Sequence, residues 1–142
     1  MNKYHIRELK KEDYYHGFLQ LLEQLTTVNS YDISYNDFID QMDKMTSKTF
    51  VIEDNNKIIG TASIFIERKF IRKLGKVGHI EDVVVDSGYR KLGLGKILVE
   101  YCIEYAKKEQ CYKIILNCAD HNIPFYEKCG FKNKNVEMSL YI

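Results

Sequence analysis

The sequence predicts an α/β fold, a mixed central β-sheet with flanking helices, and three observations carry that reading. Residues 78–108 read as a strand, a glycine-rich loop and a helix in succession, with Val83, Val84 and Val85 forming a β-branched run. Strand and helix alternate again beyond it, so one sheet needs at least one parallel pair, between the strand at Val83 and the strand at Ile114. Upstream, two apolar stretches, residues 49–53 and 58–67, flank Asp54-Asn55-Asn56. Those residue types tolerate positive φ in a hairpin turn.

In order, residues 4–9 read as a first strand with Ile6 inward. A helix from Asp13 carries Tyr14, Phe18, Leu22 and Leu25 and ends near Thr26 and Thr27. A second helix opens at Ser34, where Ser34-x-x-Asp37 is a weaker form of the capping box, and buries Phe38, Met42 and Met45. After the hairpin comes a loop, residues 68–76, holding Arg68, Lys69, Arg72, Lys73 and Lys76. The helix of residues 96–108 places Ile97, Leu98, Tyr101, Cys102 and Tyr105 at helical spacing. Residues 112–118 are nearly all apolar and predict a strand buried on both faces. Asn122 is placed to cap a short helix with Pro124 in its first turn, and Gly130 follows its end. Residues 136–142 read as a closing strand. The expectation is a single domain over residues 1–142.

The formal net charge of +1 argues against a nucleic-acid partner, which calls for a strong basic excess. There is no run of about 18 apolar residues and no charged-then-apolar leader, so no membrane span is expected and the chain reads as soluble and unprocessed. Cys102, Cys111, Cys118 and Cys129 form no C-x-x-C pair and sit among apolar residues. They read as reduced core thiols, which points to a cytoplasmic setting.

The loop before the helix at Lys96 is the first candidate site. A helix N-terminus behind glycines presents unpaired N–H groups and the positive end of the macrodipole, which suits a phosphate. A Walker A loop needs glycine where Arg90 stands and Ser or Thr where Ile97 stands. A dinucleotide fingerprint needs a third glycine at Leu98. Neither fits. The pattern present is Arg-x-x-Gly-x-Gly: Arg90, Lys91, Leu92, Gly93, Leu94 and Gly95. It resembles the acetyl-CoA pyrophosphate loop of the GNAT superfamily of N-acetyltransferases, whose order of elements is also the order read above.

Further candidates surround it. Glu81 and Asp82 are adjacent in an apolar strand, so alternation sends them to opposite faces, one toward a polar cavity or a cation unless both are solvated at the rim. His79 is either a base or an ordinary satisfied histidine. Lys69, Phe70, Ile71, Arg72 and Lys73 form either a solvated turn or a seat for an anion, with Phe70 and Ile71 calling for burial. Tyr126 is either a core tyrosine or a donor aimed into a cleft.

Together these pieces resemble the glucosamine 6-phosphate N-acetyltransferase family within that superfamily. The resemblance covers most of the chain. It is densest in Ile66-Glu67-Arg68-Lys69-Phe70-Ile71, Gly78-His79-Ile80-Glu81-Asp82-Val83-Val84-Val85, Leu92-Gly93-Leu94-Gly95-Lys96, Cys111-Tyr112-Lys113-Ile114-Ile115-Leu116 and Phe125-Tyr126-Glu127-Lys128-Cys129-Gly130-Phe131. Leu25-Thr26-Thr27-Val28 adds to it. The resemblance implies acetyl-CoA as cosubstrate, with no metal. Val83, Val84 and Val85 would pair with its pantetheine arm, and the amides of Arg90, Lys91, Leu92, Gly93, Leu94, Gly95 and Lys96 would hold its pyrophosphate. Asn122, Phe125 and Tyr126 would lie along the arm. It implies an amino-sugar phosphate as acceptor, at Glu81, Asp82, Val83, Leu116 and Asn117. Lys69, Phe70, Ile71 and Arg72 would lie near the phosphate and Thr26 at the edge.

Catalytic roles fall by the same resemblance to Tyr126, Asn117 and Glu81. It also implies a homodimer whose sugar sites draw on both subunits. The chain departs from the family twice: Asn117 stands where an acid is usual, and Tyr141 where an arginine is usual. Two other readings stay open, an acetyltransferase for a protein N-terminus, lysine or polyamine, and a CoA-binding module without turnover.

Overall fold

The structure, a computed structural model, describes residues 4–142; residues 1–3 of the expected domain lie outside the described residues. Five strands, β1 (Ile6–Glu8), β2 (Lys48–Asp54), β3 (Lys57–Arg68), β4 (Lys76–Val85) and β5 (Lys113–Ile115), form one sheet in the order β1-β2-β3-β4-β5. The first four run antiparallel and β4 pairs β5 in parallel, as the strand–helix alternation requires. The β2–β3 hairpin turns through Asn55 and Asn56 at φ 50° and 62°, the left-handed conformation those residues were expected to supply.

Helices cover both faces. One face buries Phe50, Ile52, Ile59, Ala62, Ile64 and Ile80 beneath Leu98, Val99, Cys102 and Ala106 of α4 (Leu94–Lys108). The other buries Val51, Ile58 and Val84 against Phe18, Leu19 and Leu21 of α1 (Phe18–Leu22) and Phe38 of α2 (Tyr35–Lys44). The mixed α/β layout expected from the sequence is the one observed. The capping box at α2 forms in full: Ser34 Oγ accepts the Asp37 N–H at 3.0 Å, and the Asp37 carboxylate accepts the Ser34 N–H at 3.0 Å.

Several local expectations fail for identifiable reasons. The first helix is not continuous. Gly17, at φ 83°, divides a 3-10 stretch, Lys11–His16, from α1, which ends by Leu22 rather than near Thr27. Asn122 makes no side-chain cap on α5 (Ile123–Lys128), because its backbone is already helical and a 3-10 turn, Asp120–Asn122, leads in. β5 is shorter than residues 112–118 and is not buried on both faces; Lys113 and Ile115 are exposed, since β5 is the edge of the sheet. Residues 136–142 form no strand in the chain, and Val136, Met138, Leu140 and Tyr141 are each at least 87% exposed. Of the four cysteines only Cys102 is in the core, and Cys118 is exposed.

The basic loop is a tight hairpin end. Arg68 pairs with Lys76, and between them Ile71–Leu74 (α3) makes one turn with Arg72, Lys73 and Leu74 all at positive φ. Phe70 at 92%, Ile71 at 58% and Leu74 at 72% exposure are not buried within this chain, contrary to the expectation for Phe70 and Ile71.

Candidate active site

Two features of β4 create the site. The first is a splay: β5 pairs with β4 only at Val77, Gly78 and His79, so Ile80 to Val85 have no β5 partner and a wedge opens there. The second is a bulge. Ser63 pairs with Glu81 and Thr61 with Val84, so Asp82 and Val83 together stand opposite Ala62. Asp82 absorbs the extra residue at φ 54°. A non-glycine residue in that region costs on the order of 1–3 kcal/mol, so the surrounding strands hold it there. The bulge breaks side-chain alternation, and Glu81 and Asp82 line one cavity instead of pointing to opposite faces.

The wedge is a cavity of about 410 Å³ lined by Val83, Val84, Val85, Arg90, Lys91, Gly93, Leu94, Gly95, Lys96, Asn122, Phe125 and Tyr126, with Tyr89 added. Of the residues the sequence assigned to a cofactor, Leu92 stays outside this cavity and is 54% exposed. The loop ahead of α4 is fastened from its flank. Asp86 Oδ1 accepts the Gly88 N–H at 2.8 Å, Lys57 Nζ lies 3.1 Å from Asp86 Oδ2, and Gln24 Oε1 accepts the Ser87 N–H at 2.9 Å. The Gly88 N–H above all holds the Asp86 carboxyl below its ordinary range. Tyr89 donates to Asp54 Oδ2 at 2.7 Å. Sequence reasoning missed Asp86 and Tyr89; an Asp two residues before a glycine is the available signal for the first.

The chemistry of this cavity suits a phosphorylated thiol carrier. Lys91 and Gly93 are both left-handed, at φ 68° and 77°, and alternate with right-handed or extended neighbours, a geometry that turns backbone N–H groups toward an anion. The 15-residue α4 adds the positive end of its dipole. Opposite, Tyr126 is edge-on to Phe125 and Phe131, at 4.9 and 6.1 Å between ring centres. Burial pushes the Tyr126 phenol up to about 12, so it is protonated and a donor at neutral pH. Among the described residues no side chain takes its hydrogen bond.

A second cavity, about 390 Å³, lies on the α2 side of the sheet. It is lined by Lys44, Met45, Thr46, Ser47, Ser63, Phe65, Glu81 and Asp82. Burial first, and then the neighbouring Asp82 charge, raise the Glu81 carboxyl above its ordinary range. His79 does not join it as a base: its Nε2 lies 2.9 Å from Glu67 Oε1. That hydrogen bond, ahead of the charge of Lys69, holds Glu67 below its ordinary range. Lys44, Thr46, Ser47, Ser63 and Phe65 had no sequence signal, because their role depends on strand pairing; Met45, expected in the buried stripe of α2, lies just past the helix end and is 44% exposed.

Other sequence candidates are not brought to either cavity. Thr26, Leu116 and Asn117 line neither, and Thr26 and Asn117 are exposed. Lys69, Phe70, Ile71 and Arg72 line neither as well. From Phe65, the last β3 residue in the second cavity's lining, to Arg68 the strand advances about 10 Å before the basic turn begins. Among the described residues no three His, Cys, Asp or Glu side chains group as a metal-ligand set, and no helix is long and apolar enough to cross a membrane.

Known proteins resemble the chain over nearly its whole length. The acetyltransferase (GNAT) family profile matches residues 5–131. The chain is 43% identical over 141 residues to the glucosamine 6-phosphate N-acetyltransferase of Arabidopsis thaliana, covering 96% of this chain and 95% of that protein. It is 40% identical to the Candida albicans enzyme of the same name, covering 95% and 93%. The crystal structure of the Arabidopsis enzyme superposes with a TM-score of 0.94 at 41% identity, covering 99% of each chain.

Proposed function

The chain belongs to the glucosamine 6-phosphate N-acetyltransferase family of GNAT acetyltransferases, and from that membership we propose that it transfers an acetyl group from acetyl-CoA to the 2-amino group of glucosamine 6-phosphate. The observation that carries this reading is that two cavities are lined by consecutive residues of β4 at one bulge. The wedge runs along Val83, Val84 and Val85, and the second cavity ends at Glu81 and Asp82, the residues just before them on β4. A thioester in one and an amine in the other meet without leaving the strand.

Acetyl-CoA supplies the activated acyl group. The residues that fit it are the left-handed Lys91–Gly93 loop and the α4 N-terminus for its pyrophosphate, and the unpaired stretch of β4 for its amide-bearing arm. Backbone N–H groups at the bulge, freed from the ladder, polarise the carbonyl that the amine attacks. The amine flanked by electron-withdrawing carbons ionises nearer an α-amino group, about 7.7–8.0, than lysine at ~10.4, so orienting its neutral form suffices. Glu81 and Asp82 draw in the amino group, and Glu81 with its raised pKa takes up the released proton on its way to water. Tyr126 donates to the departing sulfur. Asn117, exposed and outside both cavities, carries no charge and takes no part in these steps.

The same reading makes the protein a homodimer in the cytoplasm. Val136, Met138, Leu140 and Ile142 alternate along an extended terminus, each at least 87% exposed, a strand pattern without a sheet to complete it. Phe70, Ile71 and Leu74 project from the far hairpin end. A second copy gives both sets a partner, and it brings a basic turn to a cavity that this chain's own Arg72 does not line.

The test is a thiol-release assay with acetyl-CoA against glucosamine 6-phosphate, glucosamine, lysine peptides and polyamines. Strong preference for glucosamine 6-phosphate is the expected result. Equal turnover of glucosamine would remove the phosphate from the reading, and no turnover of any amine would leave a CoA-binding module.

A further inference from the structure

We infer that Phe65, with Ser63 beside it, is the specificity-determining floor of the acceptor cavity, an aromatic platform on which the pyranose ring of the amino sugar lies. The inference rests on the amino-sugar reading above and deepens it by naming the residues that select a ring over an open-chain amine.

β3 is the central strand of the sheet, where a phenylalanine is ordinarily covered, yet Phe65 is 38% exposed. The strand register explains where it points. Ser63 stands opposite Glu81 and Phe65 opposite His79, and residues two apart on a strand share a face, so Ser63 and Phe65 follow each other directly away from the reacting end. The Phe65 ring is braced from the side by the His79 ring, with centres 5.9 Å apart and planes at 52°. His79 is itself fixed by Glu67 at 2.9 Å. Ser63 Oγ is held 2.8 Å from Thr49 Oγ1. A hydroxyl keeps further acceptor capacity after one such bond.

Beside this floor the lining is mainly apolar, with Met45 in it, and sets a few polar residues around the ring: Lys44, Thr46, Ser47 and, at the reacting end, Glu81 and Asp82. Phe65 is the aromatic ring in that lining. A pyranose matches the arrangement, since its faces are C–H and its rim is hydroxyl. An apolar surface with convergent polar groups is how a site fixes such a molecule. A lysine side chain or a polyamine offers no face to the ring and leaves the hydroxyls unmatched, which is the kind of mismatch that discriminates strongly.

The experiment compares Phe65→Leu and Phe65→Tyr with the wild type, varying glucosamine 6-phosphate and acetyl-CoA separately. Sedimentation velocity and saturation-transfer NMR on the sugar phosphate accompany the kinetics. Removing the ring is expected to raise KM for the sugar phosphate roughly 3- to 10-fold. KM for acetyl-CoA should hold, and saturation transfer to the pyranose C–H protons should weaken. Phe65→Tyr, which keeps the ring, should stay within about twofold of wild type. An unchanged sugar constant in Phe65→Leu overturns the inference. So does a parallel loss for both substrates with a loosened dimer, which would make Phe65 a packing residue. A wild-type protein that turns over other amines but not glucosamine 6-phosphate overturns the amino-sugar reading, and this inference falls with it.

Discussion

A Cβ placed on Gly95 would lie 3.2 Å from Cζ of Phe125, so the first turn of α4 and the ring from α5 face each other across the wedge at the limit of close contact. Gly95 needs no unusual φ; it needs the absence of a side chain. Gly95→Val should therefore fold, drive Phe125 into the wedge and raise KM for acetyl-CoA at least about tenfold, about 1.4 kcal/mol. The sugar constant should move far less. Gly93→Val acts differently, through backbone strain at φ 77° with open space around it. A folded Gly95→Val protein with a normal acetyl-CoA constant would remove the loop from the cofactor site.

Tyr126→Phe isolates leaving-group assistance. The phenol is protonated across the neutral range, with its pKa pushed up to about 12 by burial, so it donates and does not act as a base. Oxyanion donors contribute about 10²–10³ in kcat, and one donor to sulfur should contribute less, about tenfold. The expected signature is a lower kcat with acetyl-CoA affinity intact. An unchanged kcat with chemistry rate-limiting would make Tyr126 a core residue.

Two half-dead variants test whether the site is shared. Glu81→Gln should disable the acceptor cavity, and the double change Lys69→Ala with Arg72→Ala should disable the basic turn. If the turn serves the neighbouring copy, mixing and refolding the two should restore about a quarter of wild-type activity, since half the dimers then carry one intact site. No recovery on mixing would place turn and cavity in the same copy.

The two departures from the family predict gains. Asn117→Asp should preserve or raise kcat, and a rise would bring to the reacting end a position that lines neither cavity in the single chain. Tyr141→Arg should lower KM for glucosamine 6-phosphate and leave that for glucosamine unchanged, and only in the dimer. Kinetics on both sugars check it. A tighter phosphate constant in monomeric protein would contradict the cross-subunit reach.

Stability should depend on a buried ion pair remote from the site. Asp13 is 1% exposed and receives Arg7 in a two-pronged bond, at 2.8 and 2.9 Å, with the Lys10 N–H at 2.8 Å. Burial opposes the charge, but the Arg7 and Lys10 bonds outweigh it and hold the Asp13 carboxyl below its ordinary range. A depressed folded pKa means the contribution is present above the unfolded value, about 3.9, and is lost as pH falls through the folded one. Asp13→Asn should cost about 2 kcal/mol at pH 7, because the guanidinium loses its two-pronged carboxylate and keeps only Glu53, at 3.0 Å. Its acid limb should be flatter than the wild type's below about pH 4. Urea melts across pH check both.

The glycine loop, the hairpin asparagines and the Ser34 cap were legible because each is a local conformational requirement written in residue type. Glu81 and Asp82 were legible as polar residues in an apolar strand. Their shared face was not, because period-two alternation holds only until a bulge interrupts it, and the bulge exists in the pairing of β4 with β3. Phe65 and Ser63 carried no signal for the same reason: a phenylalanine in an apolar strand is unremarkable until one knows which helix fails to cover it. Tyr89 joined the wedge through its bond to Asp54, 35 positions away.

What the sequence by itself determined is the mixed α/β class, the β2–β3 hairpin, the parallel pairing of β4 with β5, the glycine loop ahead of α4 and the family. All of these rest on neighbours along the chain, where spacing, capping and positive-φ tolerance act. What only the tertiary structure decided is which side chains share a cavity: the splay of β5 from β4, the bulge that turns Asp82 beside Glu81, and the hairpin end that leaves Arg72 outside both linings. Those follow from strand register and from where pairing stops, and register is a property of two strands together.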